Sequence, residues 1–286
     1  MTETTDEKLI PRETIIRAES KSWDELSSGV SLRLLASGDC GAKSFCTALA
    51  TFAPMAALPY HIHDFSEALT VLSGTAAIGI QGRTYLLGPL DCMHIPRLLP
   101  HIAANASAES ELKILTAFGH RQPTRTLVDG SAFPIVHYGR NNSGPGDPEH
   151  VQRFTDAEKY ELAPGTQFFD LFAGRFGAIG ICGGYGEFSP GSSLPCHIHE
   201  FDESVTIISG EARCEAEGRC YYLSGCDTAF IPGGRPRRFM NVTEEKMAMI
   251  WVCAANEPAR TQVETGYCTG DLSLDEPEAE GSEAME

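Results

Sequence analysis

The chain has 286 residues, of which 42% are hydrophobic and 21% are charged. This composition is typical of a globular protein that is long enough for two domains with buried cores. The formal net charge is −17, so we expect neither nucleic acid nor an anionic membrane surface as a partner, because both require a cationic face. No stretch approaches about 18 continuous apolar residues, so we expect no membrane-spanning helix.

The beginning of the chain and its cysteines both favour a cytoplasmic protein. The first residues, MTETTDEKLIPRE, are polar and acidic, and they lack the basic and apolar regions of a secretion signal. The chain has ten cysteines but no CxxC pair, so neither a zinc ribbon nor a thioredoxin-type site is indicated. We therefore expect reduced and mostly buried thiols.

The chain contains an internal repeat. The segment PYHIHDFSEALTVLSG begins at Pro59, and PCHIHEFDESVTIISG begins at Pro195, an offset of 136 residues. The same offset relates residues throughout 26–105 to residues in 162–241 without a gap, which indicates two copies of one domain. The predicted divisions are an N-terminal arm (1–25), a first domain (26–119), a flexible or turn-rich linker (120–161), a second domain (162–254) and a C-terminal tail (255–286).

The tail is expected to be disordered. Its last part, residues 271–286, contains seven acidic side chains, no basic ones and little to bury.

Inside each copy the hydrophobic pattern predicts β-strands. Ala76, Ile78 and Ile80 recur at every second position, and residues 211–217 alternate in the same way. Gly74 follows an apolar run and is predicted to turn a hairpin. Short strands separated by Gly and Pro are typical of antiparallel barrels and jelly rolls, so we predict an all-β fold.

Two histidines and a glutamate at even spacings indicate a metal site. His61, His63 and Glu67 would project from one face of a strand. Burying them without partners is costly, and a divalent cation that takes all three as ligands removes that cost. His101 could complete the set from a neighbouring strand. Nitrogen and oxygen ligands suit a divalent transition metal: Fe(II) or Mn(II) is favoured, and Zn(II), Ni(II) or Cu(II) is possible. In an alternative interpretation, Glu67 orients a histidine without touching metal.

These residues resemble the two sequence motifs of the cupin superfamily. The first motif is HxH, then Glu after three or four residues, then Gly after six more. It is matched by His61, His63, Glu67 and Gly74, and again by His197, His199, Glu203 and Gly210. The second motif is matched by Pro96, His101 and Asn105, although its usual Pro-x-Gly turn reads Pro89-Leu90-Asp91. The resemblance implies a bicupin, that is, two tandem double-stranded β-helix (jelly-roll) barrels with a metal at the centre.

The second copy departs from this pattern, because Arg237 stands at the position of His101. Three interpretations remain open. His197, His199 and Glu203 could hold a three-ligand metal. The second copy could bind metal weakly or not at all. In the third, Arg237 projects into the cavity and binds a substrate carboxylate as a bidentate fork.

Cupins include dioxygenases, decarboxylases, isomerases, lyases and non-catalytic binding proteins, and fold alone does not choose among them. Our leading hypothesis is a metal-dependent, dioxygenase-type oxidoreductase acting on a small organic molecule, with Glu67 taking a proton. The alternatives are a redox-neutral isomerase, lyase or decarboxylase, in which His94 moves the proton as a second catalytic residue, and a non-enzymatic small-ligand binding protein. A monomer and a homodimer are both compatible with two domains in one chain.

Overall fold

The structure is a computed structural model that describes residues 11–134 and 137–271. Regular structure in these residues is almost all strand, so the all-β prediction is confirmed. It also includes the short helix α1 (Thr265–Thr269) and five 3-10 turns at Ala18–Ser20, Gly38–Cys40, Gly130–Ala132, Phe154–Asp156 and Gly174–Phe176. No helix in the described ranges is long and apolar enough to cross a membrane.

The first part of the chain forms one barrel of two facing sheets. After β1 (Thr14–Ile16) its strands are β2 (Asp24–Ser27), β3 (Val30–Leu34), β4 (Cys46–Phe52), β5 (His61–Ile62), β6 (Glu67–Ser73), β7 (Ala76–Ile80), β8 (Arg83–Leu87), β9 (Cys92–Ile95), β10 (His101–Asn105) and β11 (Leu112–Phe118). The connecting segment adds β12 (Thr126–Leu127), β13 (His137–Arg140), β14 (His150–Gln152) and β15 (Lys159–Tyr160). The sheet orders are β14-β9-β6-β11-β4-β3-β2 and β12-β5-β10-β7-β8-β13.

The second part repeats this architecture. Its strands are β16 (Thr166–Phe172), β17 (Cys182–Phe188), β18 (His197–Ile198), β19 (Glu203–Ser209), β20 (Glu211–Ala216), β21 (Arg219–Ser224), β22 (Thr228–Ile231), β23 (Arg237–Asn241), β24 (Met247–Cys253) and β25 (Thr261–Gln262). Their sheet orders are β1-β22-β19-β24-β17-β16-β15 and β21-β20-β23-β18-β25. The chain thus folds as two tandem double-stranded β-helix barrels.

The predicted alternation places the core as expected. Ala76, Ile78 and Ile80 are fully buried inside the first barrel. The turn at Gly74 differs from the prediction, because it carries the chain from one sheet to the other and closes no hairpin. Its φ is +86°, and a Cβ there would lie 2.8 Å from the Glu111 carbonyl oxygen, so this turn requires glycine. Each barrel has its own apolar core. A third apolar cluster contains residues from both barrels and packs the barrels against each other.

The segments that precede the two barrels are exchanged between them. β1 comes before the first barrel but pairs with β22 of the second. β14 comes before the second barrel but pairs with β9 of the first. We call residues 13–20 and 149–156 the exchanged arms. They are related by the same offset of 136 residues, so the structural repeat begins earlier than the sequence comparison indicated.

Each arm is fixed by buried ion pairs. The Glu149 carboxylate, whose side chain is fully buried, accepts hydrogen bonds from Arg83 at 2.9 Å and from Tyr85 at 2.5 Å. Arg153 donates to Asp91 at 2.6 Å. The other arm has equivalent contacts, which are Glu13 with Arg219 and Tyr221, and Arg17 with Asp227. Residues 14–16 of the predicted arm and 150–152 of the predicted linker are therefore integral parts of the two sheets.

A Glu149→Gln substitution should lower the free energy of unfolding by roughly 3 kcal/mol, because it removes the charge of a fully buried carboxylate that accepts hydrogen bonds from Arg83 and Tyr85. Urea titration measures this loss. Glu158→Gln, at an exposed position of the same segment, is the control and should be neutral. Equal stability of the two variants would contradict the role of the arm.

Two expectations about the end of the chain need correction. The tail predicted to be disordered begins at residue 255, but the part up to residue 271 contains β25 and α1, and Cys268 of α1 is joined to Cys196 by a disulfide. This pair also contradicts the expectation that all cysteines are reduced. The bond fixes α1 beside β18, which explains the order of this segment. The acidic residues from 272 onward lie outside the described residues.

Candidate metal centres

Four side chains of the first barrel converge on one point. His61 lies on β5, His63 follows it, Glu67 begins β6 and His101 begins β10, directly opposite His61 in the sheet. One possible ligand atom from each lies within 4.8 Å of the others, and all four residues are buried. The sequence predicted one continuous strand for the first three. The chain instead breaks after Ile62, and two strands bring the residues together.

The hydrogen bonds of the three rings leave them ready to bind a cation. The Nδ1 atoms of His61, His63 and His101 each face a backbone carbonyl oxygen at 2.6–2.8 Å. A proton on Nδ1 is therefore donated to the backbone, and the Nε2 lone pairs point inward. The Nε2 atoms of His63 and His101 lie 3.3 and 3.0 Å from Glu67 Oε2.

The meeting point of these atoms lacks a donor. Glu67 Oε2 and His101 Nε2 are buried without a hydrogen-bond partner among the described residues. Burial would raise the pKa of Glu67, but protons on Nε2 of His63 and His101, when these rings are charged, hold it well below its usual range. A bound metal ion would take the place of those protons. Burial and the neighbouring His101 lower the pKa of His61 to about 3, so this ring is neutral. Lone pairs and a carboxylate that face one another fit a divalent transition metal as the missing partner.

The second barrel presents a similar group with one difference. His197, His199 and Glu203 are buried and also bring ligand atoms within 4.8 Å of one another. The two Nδ1 atoms again face backbone carbonyl oxygens, at 2.9 and 2.5 Å. These are ligand types for a divalent transition metal, as in the first barrel.

Arg237 takes the place of the fourth ligand. Its guanidinium is fully buried and donates to Glu203 Oε2 from Nη2 at 2.8 Å and from Nε at 3.1 Å. Nη1 donates to the Arg235 carbonyl at 3.2 Å. The fork predicted to bind a substrate carboxylate is thus occupied by Glu203 of the chain itself. The carboxylate oxygen that has no donor in the first barrel has two in the second.

A cavity opens beside each group. The first has a volume of about 200 Å³ and the second of about 230 Å³. Both have mainly apolar walls, and each is lined by one arginine that the sequence analysis did not single out, Arg125 in the first and Arg260 in the second. A signal for them existed, because the sequences PTRT at 123–126 and PART at 258–261 repeat at an offset of 135 residues.

His94 is not beside the metal group. It lies on β9 opposite Ala68, the neighbour of Glu67, and adjacent residues of a strand point to opposite faces. His94 therefore faces the contact between the barrels, near Gly177 and paired in register with His150. Both of its ring nitrogens lack partners among the described residues. This placement gives no support to a catalytic role for His94 at the metal.

A His94→Phe substitution should weaken the loss of stability in acid. Burial, with a smaller contribution from His150, lowers the pKa of His94 to about 4, compared with about 6.5 in an unfolded chain. The unfolded chain therefore binds a proton that the folded chain rejects. The stability associated with the neutral ring is complete above pH 6.5 and decreases by roughly 3 kcal/mol as the pH falls to about 4.

Urea titrations at pH 7 and pH 4.5 measure this effect. Phenylalanine is suitable because Phe230 occupies the equivalent buried position of the second barrel. An identical acid destabilisation of the variant and the original chain would contradict the argument.

This chain combines two tandem β-barrels with a buried group of histidine and glutamate side chains in each. These features place it in the class of metal-binding β-barrel proteins. The family model described as "Cupin domain" matches residues 48–118 and 184–253. The chain belongs to the cupin superfamily and is a bicupin.

The comparison with solved structures agrees with this assignment. A mutant of Bacillus subtilis oxalate decarboxylase is 16% identical and superposes with a TM-score of 0.71, covering 92% of this chain and 82% of that one. A formate complex of Lactobacillus farciminis oxalate decarboxylase is 14% identical, with a TM-score of 0.72 and 88% of each chain covered. At these identities the similarity is one of fold. A search of curated proteins finds no match to the chain.

Proposed function

We propose that the chain is a metal-dependent enzyme that removes CO2 from a small organic carboxylate in the first barrel. The observation that carries the proposal is the convergence of three imidazole Nε2 atoms on a Glu67 oxygen that has no donor. His61, His63, Glu67 and His101 would hold a divalent metal, with Mn(II) or Fe(II) favoured. When bound, the metal supplies Lewis-acid polarisation of a substrate oxygen.

Arg125 supports a carboxylate as the substrate group. It is the one cationic side chain lining the first cavity in the described ranges. It donates one hydrogen bond, to the Leu26 carbonyl at 3.0 Å, and its remaining donors are available to a ligand. Arg125 and the four residues of the metal group line the same cavity, so they can hold two ends of one small molecule. A cavity of about 200 Å³ is below the usual range for drug-sized ligands, so the substrate is small.

The walls of the cavity favour loss of CO2. Leu32, Phe52 and Leu69 are among the apolar residues that exclude water from a bound carboxylate. A carboxylate without its water shell loses CO2 more readily, because its charge spreads as the bond breaks. The bond to the carboxylate carbon breaks, CO2 leaves, and the electron pair stays on the remaining carbon. That carbon takes up a proton from water, delivered through Asp24, which apart from Glu67 is the carboxyl group lining this cavity in the described residues. The names of the two structural relatives, both oxalate decarboxylases, support the same reaction.

Oxidative cleavage by O2, the leading hypothesis from the sequence, is the second candidate. The apolar walls favour it as well, since they would admit a nonpolar gas. Thr116, which donates to Glu67 Oε1 at 3.0 Å, would keep that carboxylate oriented in either reaction.

A single assay separates the candidates. The full chain is loaded with Mn(II) or Fe(II) and given oxalate, malonate or other small carboxylic acids, while CO2 release and O2 uptake are recorded together. CO2 release without stoichiometric O2 uptake supports decarboxylation. Uptake of one O2 per product supports the oxygenase. Binding without turnover of any acid would overturn both and favour a binding protein.

We also propose a cytoplasmic location. Eight of the ten cysteines are free and support it because free thiols persist in reducing compartments, and the Cys196–Cys268 disulfide is the exception. Recovery of the protein in the cytoplasmic fraction of the producing cells is the expected result. Recovery among exported proteins would contradict it.

A further inference from the structure

We propose that the second barrel is a metal-free binding site for a small carboxylate with an apolar body, held by Arg260, and that Arg237 replaces the metal there. This inference goes beyond the activity proposed for the first barrel. It concerns a cavity that the first barrel's chemistry does not use.

The charges around His197, His199 and Glu203 in the second barrel disfavour a bound metal cation. In the first barrel, three imidazole rings and one carboxylate converge with no cationic side chain among them, which is a ligand set that suits a dication. In the second, the Arg237 guanidinium neutralises Glu203 directly at 2.8 Å. Arg237 contacts Oε2 of Glu203, so a metal ion held by His197, His199 and the other oxygen, Oε1, would sit close to a fully buried guanidinium whose charge repels it. The residues present therefore do not fit a metal as those of the first barrel do.

Arg260 on the wall of the second cavity has no hydrogen-bond acceptor among the described residues. Arg260 is half-buried and lines the cavity. Its guanidinium forms no hydrogen bond or ion pair with the described residues. Trp251 lines the same cavity, is 5% exposed, and has a buried Nε1–H without an acceptor in those residues. In the first barrel the equivalent position is Thr116, whose hydroxyl donates to Glu67. The change to tryptophan thus removes this support for the glutamate and places an indole ring on the cavity wall.

The remaining carboxylate on the wall does not compete for Arg260. Asp170 accepts a hydrogen bond from Tyr160 at 2.6 Å and pairs with Arg175. Arg260 is therefore the one positive charge of this cavity without a bound partner among the described residues. A guanidinium with unoccupied donors fits the two oxygens of a carboxylate.

The rest of the cavity selects the body of the ligand. Its other lining residues include Phe168, Leu194, Val205, Phe239 and Met249, which offer no hydrogen bonds. A volume of about 230 Å³ admits a ring or a short aliphatic chain. An inorganic anion would leave these surfaces uncovered, so a carboxylate with an apolar body is favoured over phosphate.

Metal content tests the first half of the proposal. The full chain is saturated with Mn(II), desalted and analysed for metal. We expect one ion per chain, with a rise towards two in an Arg237→His variant, which copies His101. Two ions in the original chain would overturn the proposal. So would an Arg237→His chain that keeps its melting temperature and still holds one ion.

Benzoate binding tests the second half. The probe is added to a metal-free Trp23→Phe, Arg125→Gln chain, in which Trp251 is the remaining tryptophan and the first barrel lacks its anchor. We expect saturable changes in Trp251 fluorescence and an affinity that falls at least about tenfold when Arg260→Gln is added. Inorganic phosphate should bind much more weakly.

Absence of benzoate binding, an unchanged affinity in the Arg260→Gln chain, or tighter binding of phosphate would overturn the proposal. The measurements involve no turnover, so their failure is distinguishable from a failure of the proposed enzyme activity.

Discussion

Replacing His101 with alanine should empty the first barrel of metal and lower kcat/KM by about a thousandfold or more. The ring supplies one of four converging ligand atoms, and its Nε2 lies 3.0 Å from Glu67. Loss of the His101 imidazole leaves three of the four ligand atoms and an empty space where the ring was. Metal per chain, measured after desalting, and kcat/KM for the best substrate are the two readouts.

The matched control lies in the other barrel. His197→Ala removes a histidine from the equivalent position to His61, but we expect the metal content of the chain to stay close to that of the original protein. His61→Ala, in contrast, should behave like His101→Ala. Equal loss of metal from His61→Ala and His197→Ala would contradict the difference that we attribute to Arg237.

Replacing Arg125 with glutamine should raise KM for a carboxylate substrate by about 10- to 100-fold, which corresponds to hydrogen bonds made to a charged group. The metal ligands are untouched, so metal content should stay the same. A pure loss of binding would leave kcat little changed, whereas mispositioning of the substrate would lower it too.

Arg260→Gln makes the same chemical change in the second barrel and should leave KM unchanged. Because Arg125 also donates to the Leu26 carbonyl, a melting temperature for each variant separates a loss of substrate binding from a loss of structure. An Arg125→Gln chain with the original KM and normal stability would remove the support for a carboxylate substrate.

The sequence was sufficient to predict the barrels and the four side chains that converge in the first of them. Alternation at Ala76, Ile78 and Ile80 requires only local information, and the ligand motif occurs twice in register. The face of β9 on which His94 lies could not be predicted from such local information. A shift of one residue in a strand moves every side chain to the opposite face, and the sequence around His94 does not fix that choice.

Other features depend on pairings between distant segments. The disulfide joins cysteines 72 residues apart, and no spacing rule connects Cys196 with Cys268. Arg125 and Arg260 were missed because the second copy is one residue shorter before this point, so the constant offset of the repeat no longer relates them. Arg237 was recognised as a departure, but its partner could be identified only when Glu203 was seen beside it.

The exchanged arms have a consequence for any attempt to divide this protein. A cut between β12 and β14 would yield two halves, each carrying the edge strand that belongs to the other and lacking its own. Neither half could complete its sheet alone, and each would expose unpaired backbone and a buried glutamate without its arginine. Despite its two similar parts, the chain should therefore unfold in one cooperative transition, and the halves should regain a native state only when they associate crosswise.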